Sequence, residues 1–376
     1  MNPPTTKTPV FSFLNGNTCI TMGEGARFDS VLAAEKWLTT HSGRTVGGLV
    51  PYEYGDGKGC SLFGGTVSTR TDAPAGDGPG LRYDVRFNSA ETERYLHALD
   101  AALEALRGGD NELDKVVLSR VERYLADGLD AGALYRTICE AYPKGNNFCV
   151  RDQHRPHSFH LGSSPELFLR RRGRRIVLHP LAGTLPKDPQ LPEEDDRRRA
   201  QRVLDTPKFR EEHAYLVDFL RDGLADFCAE TRSPDEPSLV SASDVWHLGT
   251  LIEGTLRSDE IALSEMLEVL HPSPAVCGTP RDLANGFIAE HETERDYYAG
   301  LVGWMEGPRD CEFYMALRSM EADCSLGHVD LRAGGGIVRG SSVPMEFGEI
   351  SAKMSTMQRI LRACGASTES GHVVRA

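Results

Sequence analysis

Residues 301–338 hold three apolar runs in close succession: LVGWM (301–305), EFYMALRSM (312–320) and HVDLRAGGGIV (328–338). Each run has the length of a strand and is rich in β-branched and aromatic residues, and the segments between the runs are too short for helices. Strands that follow one another without intervening helices favour antiparallel sheets. We therefore predict an α/β (α+β) fold in which helices pack outside such sheets.

The rest of the chain repeats this grouping of strands and adds helices. Residues 115–125 (KVVLSRVERYL) predict one strand, and residues 148–181 predict several. Apolar periodicity predicts helices at 88–106, with Asn88 as the N-cap, at 191–230 in two pieces divided near Pro207, and at 345–363.

The last predicted helix carries three charged residues on one face. Glu346, Glu349 and Lys353 are three and four positions apart, which places them side by side on a helix. One interpretation is a solvated face with ion pairs. The lead-in AGGGIVRG (333–340) favours a second interpretation, because consecutive glycines after a strand let a ligand come close to the backbone. These residues alone leave both interpretations open.

Two more charged side chains precede or open apolar segments. Glu212 lies in EEH (211–213), just before the apolar run YLVDFL, and Lys115 opens an apolar strand. Mg²⁺ is commonly held by one or two protein carboxylates together with water and substrate oxygens, and Glu212 and Glu349 could supply such a pair. Lys115 could extend its amine to solvent, as flanking lysines usually do, or act as a base from a dry pocket.

A single carboxylate precedes a core strand in GSSPELF (162–168). Glu166 is followed by Leu167, Phe168 and Leu169. On an exposed edge this glutamate would have no special role. In a cavity, burial would keep it protonated, and it could then donate a proton.

Composition narrows the classes of function. The 376 residues carry a net charge of −13, which disfavours nucleic acid and anionic membranes as partners. Nine scattered cysteines without a C-x-x-C pair, and no signal peptide or membrane-length apolar stretch, predict a cytoplasmic protein. The segment HRPHSFH (154–160) does not match zinc-ligand spacing, and the arginines at 170–175 favour a solvated hairpin tip over a phosphate site.

Together the motifs resemble one family from about residue 114 to the C-terminus, the chorismate-utilising enzymes, which include isochorismate, salicylate and anthranilate synthases. HPSPAVCGTP (271–280) is most similar to siderophore-type isochorismate synthases. The other stretches that carry the resemblance are DKVVLSR (114–120), GSSPELFL (162–169), HPLAGTLP (179–186), EEHAYLVDFLRDGL (211–224), VWHLGTLIEGTL (245–256), DYYAGLVGWM (296–305), EFYMALRS (312–319), RAGGGIVRGS (332–341) and EFGEISAKMSTM (346–357).

The resemblance implies a fold and an activity. The fold would be a single chorismate-binding domain over residues 1–376, with a divergent part at 1–110 and the motif-bearing core at 111–376. Two mostly antiparallel sheets would pack together with helices outside, around a deep cleft. The activity would be Mg²⁺-dependent conversion of chorismate to isochorismate by a monomer.

The resemblance also implies a role for each matching residue. Lys115 would be the general base and Glu166 the general acid. Glu212 and Glu349 would bind Mg²⁺, and Glu346 would orient a water molecule on the metal. Residues implied to contact the substrate are His247, Ala275, Tyr298, Arg318, Gly334, Gly336 and Lys353.

One departure and three alternatives follow from the same comparison. Phe209 stands where relatives usually carry an acidic residue that supports the metal, and Glu211 is a possible substitute. A salicylate synthase is disfavoured by Ala275, and an ammonia-using synthase is disfavoured by Lys115. The departure at Phe209 is the only support for a non-catalytic chorismate-binding homologue.

Overall fold

A computed structural model of the chain describes residues 8–16, 18–54, 59–71, 85–108, 113–242 and 245–364. The strands are β1 Phe11–Asn15, β2 Thr18–Met22, β3 Ala26–Phe28, β4 Thr45–Val50, β5 Ser61–Gly65, β6 Val67–Arg70, β7 Val85–Ala90, β8 Lys115–Ala126, β9 Asn146–Arg151, β10 Ser158–Ser164, β11 Leu167–Arg172, β12 Arg175–Leu178, β13 Leu181–Pro186, β14 Cys228–Arg232, β15 Ser238–Ala242, β16 Val245–Gly249, β17 Ile252–Leu256, β18 Gly278–Thr279, β19 Leu301–Met305, β20 Asp310–Met315, β21 Ser319–Asp323 and β22 His328–Val338. The helices are α1 Val31–Thr40, α2 Thr92–Arg107, α3 Ala131–Ala141, α4 Glu193–Leu204, α5 Pro207–Ala225, α6 Leu263–Leu270, α7 Arg281–His291 and α8 Val343–Ala363.

Two large antiparallel sheets dominate the fold, as the grouped strands predict. The first has the order β18-β8-β22-β21-β10-β9-β1-β2-β6, with β7 also paired to β8. The second has the order β14-β17-β12-β11-β20-β19-β4-β5-β3. A third, small sheet of β13, β16 and β15 was not predicted. The predicted fold class is confirmed.

The N-terminal part of the chain belongs to the same two sheets as the rest. Strand β1 pairs with β9 in the first sheet, and β4 pairs with β19 in the second. In the part of the chain that the structure describes, strands from 1–110 and from 111–376 are therefore hydrogen-bonded to one another in both large sheets.

Aromatic side chains fill the space between the two large sheets. Phe13 from β1 and Phe148 from β9 belong to one buried cluster with Trp304 from β19 and Tyr314 from β20. The ring centroids of Phe13 and Trp304 are 5.0 Å apart. Because inward positions alternate with outward ones along each strand, such runs bury one face and leave the other for helices. Helices α2 and α8 pack on β8 and β22. No helix among the described residues is long and apolar enough to cross a bilayer.

Two predicted elements differ from the structure. The helix predicted at 88–106 begins later, at Thr92 with Glu91 as its N-cap, because residues 85–90 pair with β8 instead. The run at 312–320 is not one strand but two, β20 and β21. The chain turns at Arg318, whose φ is 50°. This turn directs the Arg318 side chain towards a cleft.

Candidate active site

A cleft of about 920 Å³ opens between the first sheet, the small third sheet and helices α5 and α8. Ten of the predicted site residues line it: Glu166, Glu212, His247, Ala275, Tyr298, Arg318, Gly334, Gly336, Glu349 and Lys353. Lys115 and Glu346 are not part of the lining but contact or adjoin residues that are. Segments more than 180 residues apart in sequence therefore meet at one site.

Glu166 forms the apolar end of the cleft. It lies between β10 and β11, where Ser164 Oγ accepts a bond from the Glu166 amide at 3.3 Å and donates to the Met315 carbonyl at 2.6 Å. The side chain is buried, and Oε1 accepts a bond from the Leu181 amide at 3.3 Å. Burial raises the pKa of Glu166 to about 8, although the Leu181 amide opposes the shift. The glutamate is therefore mostly protonated at neutral pH, as the cavity interpretation predicts.

Lys115 is buried and does not extend to solvent. Its side chain is 1% exposed, and Nζ donates to Glu212 Oε1 at 3.0 Å. The strand opposite makes room for both groups: a Cβ on Gly336 would lie 2.8 Å from Glu212 Oε1 and 2.8 Å from Lys115 Cε. The position of Gly336 in the triple glycine thus has a steric cause.

The charged face of α8 is turned inward. Glu346 is 1% exposed, and the Lys353 ammonium donates to Glu349 Oε1 at 2.6 Å and to the Gly334 carbonyl at 3.0 Å. Burial lowers the pKa of Lys353, but the Glu349 carboxylate outweighs it, and the net pKa is raised. The interpretation of this face as solvated is wrong, whereas its predicted ion pair exists inside the cleft.

The carboxylates of this end have the right chemistry for a hard cation. Glu212 and Glu349 line the cleft, and a Cβ on Gly335 would lie 3.6 Å from Glu349 Oε1 and 3.7 Å from Glu346 Oε2. Two carboxylates leave further positions for water and substrate oxygens, which is the usual Mg²⁺ arrangement. Among the described residues, however, no three or more His, Cys, Asp or Glu side chains converge as a preformed metal cage. Both carboxylates are instead paired with lysines.

Arg318 and His247 form a coupled pair in the cleft wall. His247 Nδ1 lies 2.7 Å from the Gly183 carbonyl, so this nitrogen carries the proton. Nε2 must then accept, and Arg318 Nη2 lies 3.1 Å from it. Burial first, and then the Arg318 charge, lower the pKa of His247 to about 3, so the ring stays neutral.

Two residues of the cleft wall have a left-handed backbone conformation. In the described part of the chain the non-glycine residues with positive φ are Asp296, Ala299 and Arg318, at 49°, 61° and 50°. Ala299 and Arg318 line the cleft, and Tyr298 lies between the first two. The Arg318 carbonyl accepts a bond from the Ser163 amide at 3.0 Å, and a Cβ on Gly162 would collide with that carbonyl. Strained backbone of this kind often marks functional sites.

The polar lining residues that the sequence analysis missed include these three: Thr184, Arg295 and Arg332. Thr184 lies within HPLAGTLP, Arg332 opens RAGGGIVRGS, and Arg295 directly precedes DYYAGLVGWM. The Arg332 guanidinium carbon is 5.9 Å from the centroid of the Tyr298 ring. A search of the motif edges for arginines would have found two of the three.

Phe209 and Glu211 lie outside the carboxylate group. The Phe209 ring packs 3.2 Å from where a Cβ on Gly183 would be, in a small cluster with Leu204 and Trp246. Glu211 is exposed and does not line the cleft. Its position gives no support to the prediction that it replaces the acidic residue at 209, since adjacent helical residues point about 100° apart.

The histidines of HRPHSFH (154–160) and the arginines at 170–175 make structural contacts. His160 is buried 3.4 Å from Glu321, and Arg170 is paired with Glu312 at 2.7 Å. Arg171 is 1% exposed and donates to the carbonyls of Gly173, Asp259 and Ile261. The hairpin tip is therefore only partly solvated, because Arg171 joins β11 to the segment before α6.

Comparison with known proteins finds a family and several relatives that cover most of this chain. Residues 68–359 match the model of the family described as chorismate binding enzyme. Isochorismate synthase DhbC of Bacillus subtilis is 35% identical over 279 residues, 72% of this chain and 68% of that protein. MenF of Mycobacterium tuberculosis, named as a candidate isochorismate synthase, is 32% identical over 357 residues, 93% of this chain and 94% of that protein. The crystal structure of DhbC from Bacillus anthracis, a candidate 2,3-dihydroxybenzoate-specific isochorismate synthase, has a TM-score of 0.81 at 27% identity, with 94% and 96% of the two chains covered.

Proposed function

Because this chain belongs to the family of chorismate-binding enzymes, we propose that its cleft converts chorismate to isochorismate with bound Mg²⁺. The family match confirms the resemblance that the motifs indicated. The protein is an isochorismate synthase, an isomerase that relocates a hydroxyl group on one ring.

The burial of Glu166 in the cleft wall is the observation that carries the mechanism. The reaction adds water at ring C2 and removes the hydroxyl at C4, while the double bonds shift. A hydroxyl leaves more readily as water, so the C4 side needs a proton donor. Glu166 lines the cleft, is buried, and has a pKa raised to about 8. It therefore holds the required proton at neutral pH.

Lys115 is the proposed base for the attacking water. As the water oxygen bonds to C2, one of its protons passes to Nζ, and the proton of Glu166 leaves with the C4 oxygen. Each turnover ends with a protonated Lys115 and an ionised Glu166, so both groups must exchange a proton with solvent before the next. Lys115 needs a free lone pair for this role, so it must enter the reaction as a neutral amine, which can still donate an N–H to Glu212.

Glu212 and Glu349 would hold the Mg²⁺, with Glu346 beside them. When bound, the ion would neutralise the ring carboxylate of chorismate. The fit rests on the two carboxylates in the cleft wall and on the space left by Gly335 and Gly336.

Cations and backbone amides would hold the enolpyruvyl carboxylate. Arg318 offers a planar guanidinium that can bind a carboxylate through two parallel bonds. Tyr298 lies nearby, and Gly334 and Gly336 would offer backbone N–H groups. Lys353 would add positive charge near the ring carboxylate instead, and His247 and Ala275 would line the ring pocket.

We further propose that the enzyme acts as a monomer in the cytoplasm. The proposed acid, base and metal ligands all come from one chain. Nine free cysteines, eight of them buried, are typical of a reducing compartment.

The direct test is chromatography of the products formed from chorismate by the purified protein, in parallel tubes with Mg²⁺, with EDTA and with ammonium. We expect isochorismate alone, and none with EDTA. Salicylate with pyruvate would contradict the interpretation of Ala275, and an amino product would contradict that of Lys115. Unchanged chorismate in every tube would overturn the proposed activity.

A further inference from the structure

A buried ion pair outside the proposed catalytic set joins three walls of the cleft. Glu292 follows α7, and Arg295 follows it by three residues. Their side chains are 5% and 2% exposed. Arg295 Nε donates to Glu292 Oε2 at 2.9 Å, and Nη2 donates to Oε1 at 2.8 Å. This is the two-pronged arginine–carboxylate geometry, which fixes the orientation of both groups.

The remaining bonds of the pair reach the strand that begins with Lys115. Arg295 Nη2 donates to the Val117 carbonyl at 2.7 Å. Glu292 Oε1 accepts from the Ser119 amide at 2.6 Å, and Oε2 accepts from the Ser119 hydroxyl at 2.7 Å. The pair therefore holds β8 at two positions shortly after the proposed base.

Arg295 also contacts the Ala275 loop, the Tyr298 turn and Tyr52. Nη1 donates to the Val276 carbonyl at 2.7 Å, next to Ala275. The Arg295 carbonyl accepts from the Tyr298 amide at 2.9 Å, which begins the left-handed turn. The guanidinium carbon lies 4.6 Å over the Tyr52 ring, from the N-terminal part of the chain. The Arg295 side chain thus contacts the base strand, the Ala275 loop and Tyr52, and its backbone carbonyl contacts the Tyr298 turn.

These contacts also indicate what Arg295 does not do. Although it lines the cleft, both prongs that a carboxylate would grip already bind Glu292. Arg318 lines the same cleft, and its Nη2 lies 3.1 Å from His247 Nε2. Arg295 is therefore not the arginine that binds the substrate carboxylate.

We infer that Glu292 and Arg295 are positioning residues that set the distance between the base strand and the substrate-binding walls. The inference rests on the proposed function. Substrate would still be held by Arg318 and Lys353 if the pair were lost, but Lys115 would be displaced from C2. A misplacement of about 1 Å can lower the rate of the chemical step by about 100-fold, so we expect a fall of about 10- to 100-fold with binding largely intact.

Another ion pair on β8 provides a matched control. Glu122 accepts bonds from Arg120 at 2.7 Å, from Tyr124 at 2.8 Å and from Gln358 at 2.8 Å. Its side chain and that of Arg120 are 10% and 6% exposed, and neither lines the cleft. Glu122→Gln removes a carboxylate that lies on β8, and Glu292→Gln removes one that is bonded to β8, so both should lower Tm by several degrees.

The test compares kcat, KM and amide hydrogen exchange in the wild type, Glu292→Gln and Glu122→Gln. We expect Glu292→Gln alone to lower kcat, by about 10- to 100-fold, with KM within about threefold. We expect it alone to speed exchange together at residues 116–120, 274–278 and 295–300. Ser119→Ala removes one bond of the pair and should fold normally, with a smaller fall in kcat.

Three results would overturn the positioning role. One is a kcat of Glu292→Gln equal to that of Glu122→Gln. The second is a raised KM with unchanged kcat, which would make Arg295 a substrate ligand. The third is unchanged exchange in the three segments. A wild type that does not convert chorismate contradicts the proposed function instead, and the exchange comparison then still decides whether the pair holds the walls together.

Discussion

The two ends of the cleft treat the same functional group in opposite ways. At one end Glu166 is buried among apolar groups and accepts one bond from a backbone amide, so its carboxyl keeps its proton. At the other end Glu212 and Glu349 each face a lysine, at 3.0 and 2.6 Å. The charged end thus offers each carboxylate a lysine nitrogen as a donor, whereas the apolar end offers Glu166 one backbone amide.

The difference teaches that environment, not residue type, separates the acid from the proposed metal ligands. Both kinds of glutamate line one cleft and differ only in their neighbours. Environments that give two carboxyl groups different pKa values are a common means by which one active site provides both an acid and an anion. The following predictions change one end at a time.

The largest effect is expected at the apolar end. Glu166→Gln keeps the size of the side chain but removes the transferable proton, so kcat should fall by about 10³-fold, within the usual range for a general acid. Thermal unfolding should show a fold as stable as the wild type, since a buried ionisable group has been removed. Near-normal turnover by this variant would contradict the acid role.

At the charged end, Glu212→Gln should weaken Mg²⁺ binding by on the order of 100-fold, because one of two carboxylate ligands is lost. Calorimetric titration with Mg²⁺ measures this directly. Glu211→Gln is the matched control, since its side chain is exposed on the same helix and should leave the affinity unchanged. Equal effects of the two changes would remove the support for a metal site at Glu212.

The pH dependence of kcat/KM reports on the apolar end of the cleft. Because the pKa of Glu166 is raised to about 8, kcat/KM should fall about tenfold per pH unit above that value, as the acid form disappears.

Stability should respond to the same group. A carboxyl whose pKa is higher in the folded state favours folding at low pH. That advantage is lost between the unfolded value, about 4.5, and about 8. Wild type should therefore lose Tm relative to Glu166→Gln as the pH rises through this window. Parallel Tm curves for the two proteins would contradict the raised pKa.

The smallest effect concerns the wall between the two ends. His247→Leu removes the acceptor that orients Arg318, and KM should rise about tenfold, equivalent to one lost bond to a charged group. His247→Gln retains an acceptor oxygen at a similar distance and should raise KM only about twofold. Equal KM values for both variants would show that the Arg318 bond is not what His247 contributes.

Much of this arrangement could be predicted from the sequence. Runs such as LVGWM and HVDLRAGGGIV contain enough periodic information to predict antiparallel strands, and ten of the residues implied by the motifs line the cleft. The start of α2 could not be predicted, because residues 85–90 gain more from pairing with β8 than from extending the helix.

The partners of the charged groups could not be predicted from the sequence either. The pairs Lys115–Glu212 and Glu292–Ser119 join residues 97 and 173 positions apart, and local periodicity has no bearing on such contacts. The small sheet of β13, β15 and β16 was missed for a similar reason. Its strands have only five or six residues each, and only β13 and β16 line the cleft.

The central claim is that burial at the apolar end of the cleft keeps Glu166 protonated at neutral pH. Infrared difference spectroscopy of the wild type against Glu166→Gln tests it most directly, because only a protonated carboxyl shows a carbonyl stretch apart from the carboxylate bands. The account predicts such a band at pH 7 in the wild type, absent from Glu166→Gln and lost near pH 8. A carboxylate signal from Glu166 at pH 7 would contradict it.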